Sequence, residues 1–413
     1  MKTRQVSEFK ETEFGKVPVD WEIILINDSC EKIIDYRGKT PKKTSSGIIL
    51  VTAKMIKDGR INFSKSEFID AKDYDIWMTR GIPKSGDIVI TTEGPLGEVA
   101  QLDDKKIALA QRVITLRGEK DLLTNNYLRY VLQSRYVQEQ LFSRSTGTTI
   151  GGIKQSELRQ ILLPIPSIKI QNTISKNLIE LDEKIDNLQN QNHILEQMAQ
   201  AIFKSWFVDF DGVTEWDDSE LGKIPKGWSV NILDSIANNV RNTIKSKDIT
   251  PDIFYIGLEH MPRDNVGLDT WENSNKLKSN KFKFETNQIL FGKLRPYFKK
   301  VGISPINGIC STDILVLNSK DTSWLEFLLF TVSSYDFIEY ASQSTTGTKM
   351  PRTDWDYMKK YKIIFPPLTK VLKFHVIIKK LIEMMRKNIF EIKTLTKTRD
   401  ILLPKLMSGE IRV

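Results

Sequence analysis

Residues 174–206, ISKNLIELDEKIDNLQNQNHILEQMAQAIFKSW, decide the fold. Ile174, Leu181, Leu188, Leu195 and Ile202 recur at every seventh position, and Leu178, Ile185, Asn192, Ala199 and Trp206 form a second series four residues behind. Together they make the two-position apolar seam of a coiled coil. Asn192 interrupts that seam near its middle. A buried amide lowers stability unless it finds a hydrogen-bonding partner, so it selects one register and predicts a specific mate. The mate stands 200 residues later, where Phe374, Leu381, Asn388, Leu395 and Leu402 repeat the first series, and Ile378, Met385, Ile392, Arg399 and Leu406 the second. Laid antiparallel with Asn192 opposite Asn388, the two sets bring Ile185 to Leu395, Leu188 to Ile392, Leu195 to Met385, Leu178 to Leu402 and Trp206 to Phe374. Arg399 against Leu181 is the one poor fit. Each helix of about 33 residues would run about 50 Å at ~1.5 Å per residue.

The same offset recurs outside the helices. Ser145-Thr146-Gly147-Thr148 is echoed by Thr345-Thr346-Gly347-Thr348, and Leu163 to Pro166 by Ile363 to Pro366. The opening motif Gly15-Lys16-Val17-Pro18 with Trp21 returns 207 residues on as Gly222-Lys223-Ile224-Pro225 with Trp228. The segment after each opening motif is therefore where the copies diverge. A period of 200 residues is too long for a solenoid, whose repeats run about 20 to 50. The reading is a tandem duplication with pseudo-two-fold internal symmetry: globular domains at 1–168 and 213–369, helices at 169–212 and 370–413. Short β-branched runs at Asp87 to Thr92, Arg112 to Leu116, Gln288 to Gly292 and Asp313 to Leu317 read as strands. Asn126 to Phe142 and Trp324 to Tyr340 each read as one helical stretch. The fold class is thus α+β, two mixed domains separated by an antiparallel two-helix coiled coil. Pro164 with Pro166, and Pro366 with Pro367, end the domains. Ser167 and Thr369 stand as helix N-caps. Gly212 closes the first helical region, and Pro404 is expected to end the second about a turn early, leaving Leu406 packed but not helical.

At 413 residues and 40% hydrophobic, the chain has room for two or three domains with cores. Lys and Arg outnumber Asp and Glu by 61 to 52, a net +9 that favours a polyanionic partner. Cys30 and Cys310 lie far apart without paired spacing, and His193, His260 and His375 are the three histidines, so neither a disulfide framework nor a metal site is indicated. No signal peptide or run of about 18 apolar residues is present, so the expected location is the cytoplasm, with no membrane role. Catalytic signatures fail in turn. Gly38-Lys39-Thr40 resembles the end of a phosphate-binding loop, but Ile33 stands where that loop needs glycine. Gly147, Gly151 and Gly152 lack dinucleotide-fold spacing, and no Asn-Pro-Pro-aromatic tetrapeptide occurs for amino methylation. The expectation is a protein with no catalytic residues of its own.

Cations instead gather with turn formers, as in groove-reading loops. Tyr36, Arg37, Lys39, Thr40, Lys42 and Lys43 form one such run, with Arg241, Lys245 and Lys247 as its counterpart. Lys293, Arg295, Tyr297 and Lys299 form another, matched in the first copy by Thr91, Thr92 and Glu93. Arg112, Thr148, Lys154, Lys349 and Arg352 complete the candidate DNA-binding set. Arg engages guanine with two hydrogen bonds, Lys neutralises phosphate, and Thr or Glu discriminates adenine or cytosine edges. Each run taken singly reads more readily as a solvated loop. Finding such runs at corresponding places in both copies favours a bipartite site.

Lys204-Ser205-Trp206-Phe207-Val208-Asp209-Phe210-Asp211 and Leu402-Leu403-Pro404-Lys405-Leu406-Met407-Ser408-Gly409-Glu410, with the opening motif and the Gly86 to Gly97 and Gln288 to Lys300 segments, resemble type I restriction-modification specificity subunits over essentially the whole chain. One departure is visible: Ile170-Gln171 and Val371-Leu372 stand where that family commonly has Glu-Gln. The resemblance implies two target-recognition domains, each reading half of a split double-stranded DNA target, with the helices fixing half-site spacing and docking partners. The implied partners are two methyltransferase subunits carrying S-adenosylmethionine and two ATP- and Mg-dependent restriction/translocase subunits; no cofactor is expected on this chain. The competing reading is a coiled-coil scaffold that organises partner proteins without touching bases. Salt-sensitive, sequence-specific duplex binding would separate the two.

Overall fold

Two helices of 40 residues, Ile168–Phe207 and Leu368–Met407, carry the two heptad series. The computed structural model describes residues 8–13, 15–38, 40–147, 151–275, 277–344 and 350–413. Two compact units divide the chain, Met1–Lys184 with Leu395–Val413, and Ile185–Thr394, so each contains a part of both long helices. In the second unit Asn388 Nδ2 donates to Asn192 Oδ1 at 3.0 Å, and the Trp206 and Phe374 ring centroids lie 6.2 Å apart. These two contacts set the antiparallel register expected from the seam. In the first unit Leu178 and Leu402 meet in one core. Arg399, expected to fit poorly beside Leu181, donates to the neighbouring Asp182 at 3.0 Å. That carboxylate also accepts from Arg129 at 2.9 Å and from the Tyr130 hydroxyl at 2.8 Å, so one buried acid is shared by three donors.

The helix ends differ from expectation. Pro404 lies inside the second helix, which continues through Leu406 to Met407. Leu406 and Met407 are each 2% exposed in the first unit's core, and that burial outweighs the single backbone hydrogen bond a proline forgoes. The first helix ends at Phe207, five residues before Gly212, as the Val208 and Asp209 amides both turn back to the Lys204 carbonyl. Ser167 precedes the first helix as expected. Thr369 lies within the second helix, where Pro367 takes the capping place and accepts from the Lys370 amide at 2.9 Å.

Each unit places an antiparallel four-stranded sheet beneath a pair of short helices. In the first the order is Leu96–Gln101, Ile88–Thr92, Val113–Gly118, Cys30–Asp35; in the second it is Val301–Ile303, Ile289–Gly292, Ile314–Ser319, Ala237–Asn239. A second sheet packs beside each, and here the copies part. In the first unit Glu67–Ile69 pairs with Ile48–Val51, which pairs with Ile107–Leu109. In the second, Lys281–Phe284 pairs with Gly308–Cys310, which pairs with Phe254–Ile256. The opening motifs are β-hairpins of equal register, Phe9 opposite Pro18 and Trp216 opposite Pro225. The Leu162–Ile165 and Lys362–Phe365 segments are strands, paired with Glu22–Leu25 and Ser229–Ile232.

The single helical stretches expected after the sheets are in fact pairs. Asn125–Gln133 is followed by Arg135–Ser143, and Leu325–Val332 by Tyr335–Gln343. Ser134 and Ser334, 200 residues apart, cause both breaks: each hydroxyl accepts from an amide three residues on, at Val137 and Phe337, and so starts a new helix.

Candidate nucleic-acid interface

In the first unit, charged groups collect where Cys30–Asp35 and Ile88–Thr92 end and Val113–Gly118 begins, a juxtaposition set by the pairings Ile114 with Asp35 and Thr91 with Val113. Arg37 follows the first of these strands; its Nε donates to Asp35 at 3.1 Å and its Nη1 to the Ile153 carbonyl at 2.7 Å. Arg112 pairs with Glu93 at 3.3 Å. Lys43 reaches Glu67 at 2.6 Å, Lys54 contacts the same carboxylate, and the two ammonium groups hold its pKa below the usual carboxylate range. Thr40, Lys42 and Lys154 are exposed. The Thr40-Pro41 segment is a wall between two cavities, of about 270 Å³ toward Arg80 and about 210 Å³ toward Arg112.

Three expected contact residues of this unit are internal. Tyr36 is 2% exposed, donating its hydroxyl to the Gly81 carbonyl at 2.7 Å and accepting from the Arg80 amide at 2.9 Å. Thr91 and Thr92 are buried because both faces of Ile88–Thr92 are covered, Ile88 and Ile90 by one core and Val89 by another. All three therefore leave the contact set and serve the scaffold. Lys39, Thr148 and Lys349 lie outside the described residues. Sequence reasoning missed Arg80, whose Nη1 donates to the Arg37 carbonyl at 2.7 Å and the Asp35 carbonyl at 3.2 Å, fixing the loop that carries Arg37. It also missed Lys54.

The second unit gathers its charges at the equivalent strand ends. Arg352 forks onto Asp313 at 3.0 and 3.3 Å, and Leu294 bridges Arg352 as Glu93 bridges Gly152 in the first unit. An ion pair recurs at this strand end with the opposite charge on the strand, Asp313 preceding its strand where Arg112 precedes the matching one, while the partners come from different segments, Glu93 in one and Arg352 in the other. Arg241, Lys245 and Lys247 are exposed, and Lys293 is half-buried. Arg295 and Lys299 take left-handed backbone angles, φ of 52° and 49°, on either side of the Pro296–Phe298 turn. Such angles cost a non-glycine residue roughly 1 kcal/mol or more, and strain of this kind concentrates at functional loops. Tyr297 is 54% exposed. Lys299 is engaged, 3.3 Å from Asp264 and 3.7 Å over the Tyr335 ring. Arg263, unforeseen from sequence, stacks on Phe298 with its guanidinium carbon 3.8 Å from the ring centroid. That partnership crosses between loops and leaves no local sequence signal.

The loop bearing Arg263 is tied to the first long helix by Glu196, whose Oε1 accepts from the Val266 amide at 2.8 Å. Burial pushes this carboxyl up to about 7. Because the folded state holds the proton more tightly than the unfolded chain, the stabilisation is full below about pH 4.5 and is lost as pH rises toward 7. Glu196→Gln keeps the carbonyl acceptor without the charge. It is expected to melt with the parent near pH 4 and to be up to about 3 kcal/mol more stable at pH 8, at ~1.36 kcal/mol per pH unit; thermal melts across that range check it, and parallel curves would refute it.

Glu259, His260 and Glu272 come within 4.8 Å of one another, although the sequence suggested no metal ligand set. His260 Nδ1 accepts from the Gly257 amide at 3.0 Å, which leaves the proton of the neutral ring on Nε2 and no lone pair there for an ion. We assign no metal to them.

A second feature is also repeated. In the first unit a groove of about 590 Å³ lies between the opening hairpin at Gly15 to Val17, the Ser134 helix start and the helix end at Pro404 to Glu410. In the second unit a groove of about 510 Å³ lies at the equivalent place, lined by Phe203, Phe207, Phe210, Leu221, Ser334 and Tyr340 among others.

Residues 18–197 match the family described as type I restriction modification DNA specificity domain. The whole chain is 28% identical to the type I restriction enzyme MjaIX specificity subunit of Methanocaldococcus jannaschii, covering 100% of this chain and 98% of that one. It is 22% identical to the HindI specificity subunit of Haemophilus influenzae, over 84% of this chain and 91% of that one. Its fold is similar to the crystal structure of the type I restriction-modification system S subunit from M. genitalium, with a TM-score of 0.58, 17% identity and 98% of each chain covered.

Proposed function

We propose, from the chain's similarity to the type I restriction-modification specificity subunits, that each of its two units reads one half of a bipartite double-stranded DNA target, and that the shared helices set the spacing of the halves. The observation that carries this reading is the charged constellation repeated at equivalent strand ends with opposite charge at the strand-end member of its ion pair, Arg112 (with Glu93) against Asp313 (with Arg352). Two heads of common architecture and different polarity suit two different half-sites. No observation favours the scaffold alternative. Within the proposal, Arg37, Thr40, Lys42, Lys43, Glu93, Arg112 and Lys154 act in the first head. Arg241, Lys245, Lys247, Lys293, Arg295, Tyr297, Lys299 and Arg352 act in the second. The two repeated grooves are the docking places for two methyltransferase subunits. Methyl transfer with S-adenosylmethionine, and ATP- and Mg-dependent translocation and cleavage by two restriction subunits, belong to those partners, in the cytoplasm. Among the described residues no helix is long and apolar enough to cross a membrane.

The test is to sequence methylated motifs in cells expressing this chain with its methyltransferase partner. A bipartite motif is expected. Arg112→Ala and Arg352→Ala should each relax one base position, in different half-sites, by about 1–3 kcal/mol of discrimination. Equal weakening on every duplex would reduce both residues to phosphate contacts.

A further inference from the structure

We propose that Arg263 is a guanine-reading residue of the second unit; the inference rests on the DNA-reading function above. The other arginines named on the reading faces must release a protein partner before they can meet a base edge. Arg352 forks onto Asp313, Arg37 is divided between Asp35 and a backbone carbonyl, and Arg112 faces Glu93. Arg263 differs. Its guanidinium carbon sits 3.8 Å over the Phe298 ring centroid, yet among the described residues no carboxylate or carbonyl takes its N–H groups. The adjacent acid, Asp264, is occupied by Lys299 at 3.3 Å and by the Tyr335 hydroxyl at 3.1 Å. Arg263 itself is exposed.

The loop beneath it is fixed on two sides. Val266 donates to the buried Glu196 carboxylate, its carbonyl accepts from Ile303 at 2.9 Å, and Gly267 bridges the same strand. The ring it stacks on belongs to the Pro296–Phe298 turn, whose flanking Arg295 guanidinium lies 6.0 Å from the same ring. Stacking removes side-chain freedom before binding and leaves the edge of the planar fork free. A fork of parallel N–H donors with no internal acceptor matches the O6 and N7 acceptors on the major-groove edge of guanine. A phosphate also accepts such a fork, and its signature in the experiment below is an equal loss of affinity on every duplex.

The experiment uses the full chain with its methyltransferase partner and the duplex target found by methylation sequencing. Each guanine of the second half-site is replaced in turn by 7-deazaguanine, which lacks the N7 acceptor, and binding is measured for the native chain, Arg263→Ala and Arg263→Lys. One guanine is expected at which the replacement weakens the native complex about 5- to 150-fold. Arg263→Ala should be indifferent to the replacement there and should accept other bases, with the first half-site unchanged. Arg263→Lys should regain affinity without regaining the base preference. The inference is overturned if Arg263→Ala keeps the native sensitivity at every guanine, or if it loses affinity equally on specific and unrelated duplexes. Absence of any specific target for the native complex would instead overturn the DNA-reading function itself, and this inference with it.

Discussion

Asp182→Ala is expected to destabilise the first unit by about 3–5 kcal/mol, the cost of removing one partner from a buried ionic cluster. The lost carboxylate leaves Arg129, Arg399 and Tyr130 facing one another with no shared acceptor. Urea denaturation followed by circular dichroism measures it, and an unchanged midpoint would show that the cluster contributes nothing. The second unit supplies the control. At the four positions 200 residues away stand Ile382, Ala199, Leu329 and Phe330, all within one apolar core. Transplanting them as Asp182→Ile, Arg399→Ala, Arg129→Leu and Tyr130→Phe together should restore most of the stability, because a well-packed apolar set commonly equals a buried ionic one.

Inserting one heptad into each long helix, after Asn187 and after Ile392, is expected to move the methylated motif to a spacer longer by about three base pairs. Seven residues add about 10 Å of helix at ~1.5 Å each, against ~3.4 Å per base pair, and a whole heptad keeps the seam in phase. Affinity for the parental spacing should fall by at least about 10³-fold, toward nonspecific binding. Methylation sequencing reads the outcome. A motif with its spacer unchanged would remove the helices from the role of setting distance. A heptad in one helix alone should displace Asn192 from Asn388 and unsettle the pairing.

What was legible in the sequence was whatever depends on spacing along one element. The seam, its asparagine pair and the duplication follow from residues repeating at 7 and 200, and the coordinates agree at Asn192, Asn388, Trp206 and Phe374. What depends on a second element was not legible. Thr91 and Thr92 looked like reading residues because a strand ordinarily has one open face, but this sheet is covered on both. Tyr36 looked like a stacking aromatic in a basic run, yet its hydroxyl turns inward to Gly81. Arg399 looked misplaced because Asp182, its acceptor on the other long helix, stands beside the seam position Leu181 and not in the seam. Pro404 looked like a stop because local backbone cost was weighed without the burial of Leu406 beyond it.

The C-terminal segment returns to the start of the described chain. Arg412 forks onto Asp20 at 2.9 and 3.0 Å, which holds that carboxyl below its ordinary pKa, and Met407 is buried in the same core as Trp21. Gly409 sits so close to Pro18 that an added Cβ would lie 2.3 Å from its ring. Residues 407–412 are thus fastened to the opening hairpin and Trp21 without a covalent link. Detaching this segment must break the guanidinium fork and draw an apolar side chain into water before the adjoining helix turn can fray. Local opening there, the step on which proteolytic nicking depends, is thereby made costly.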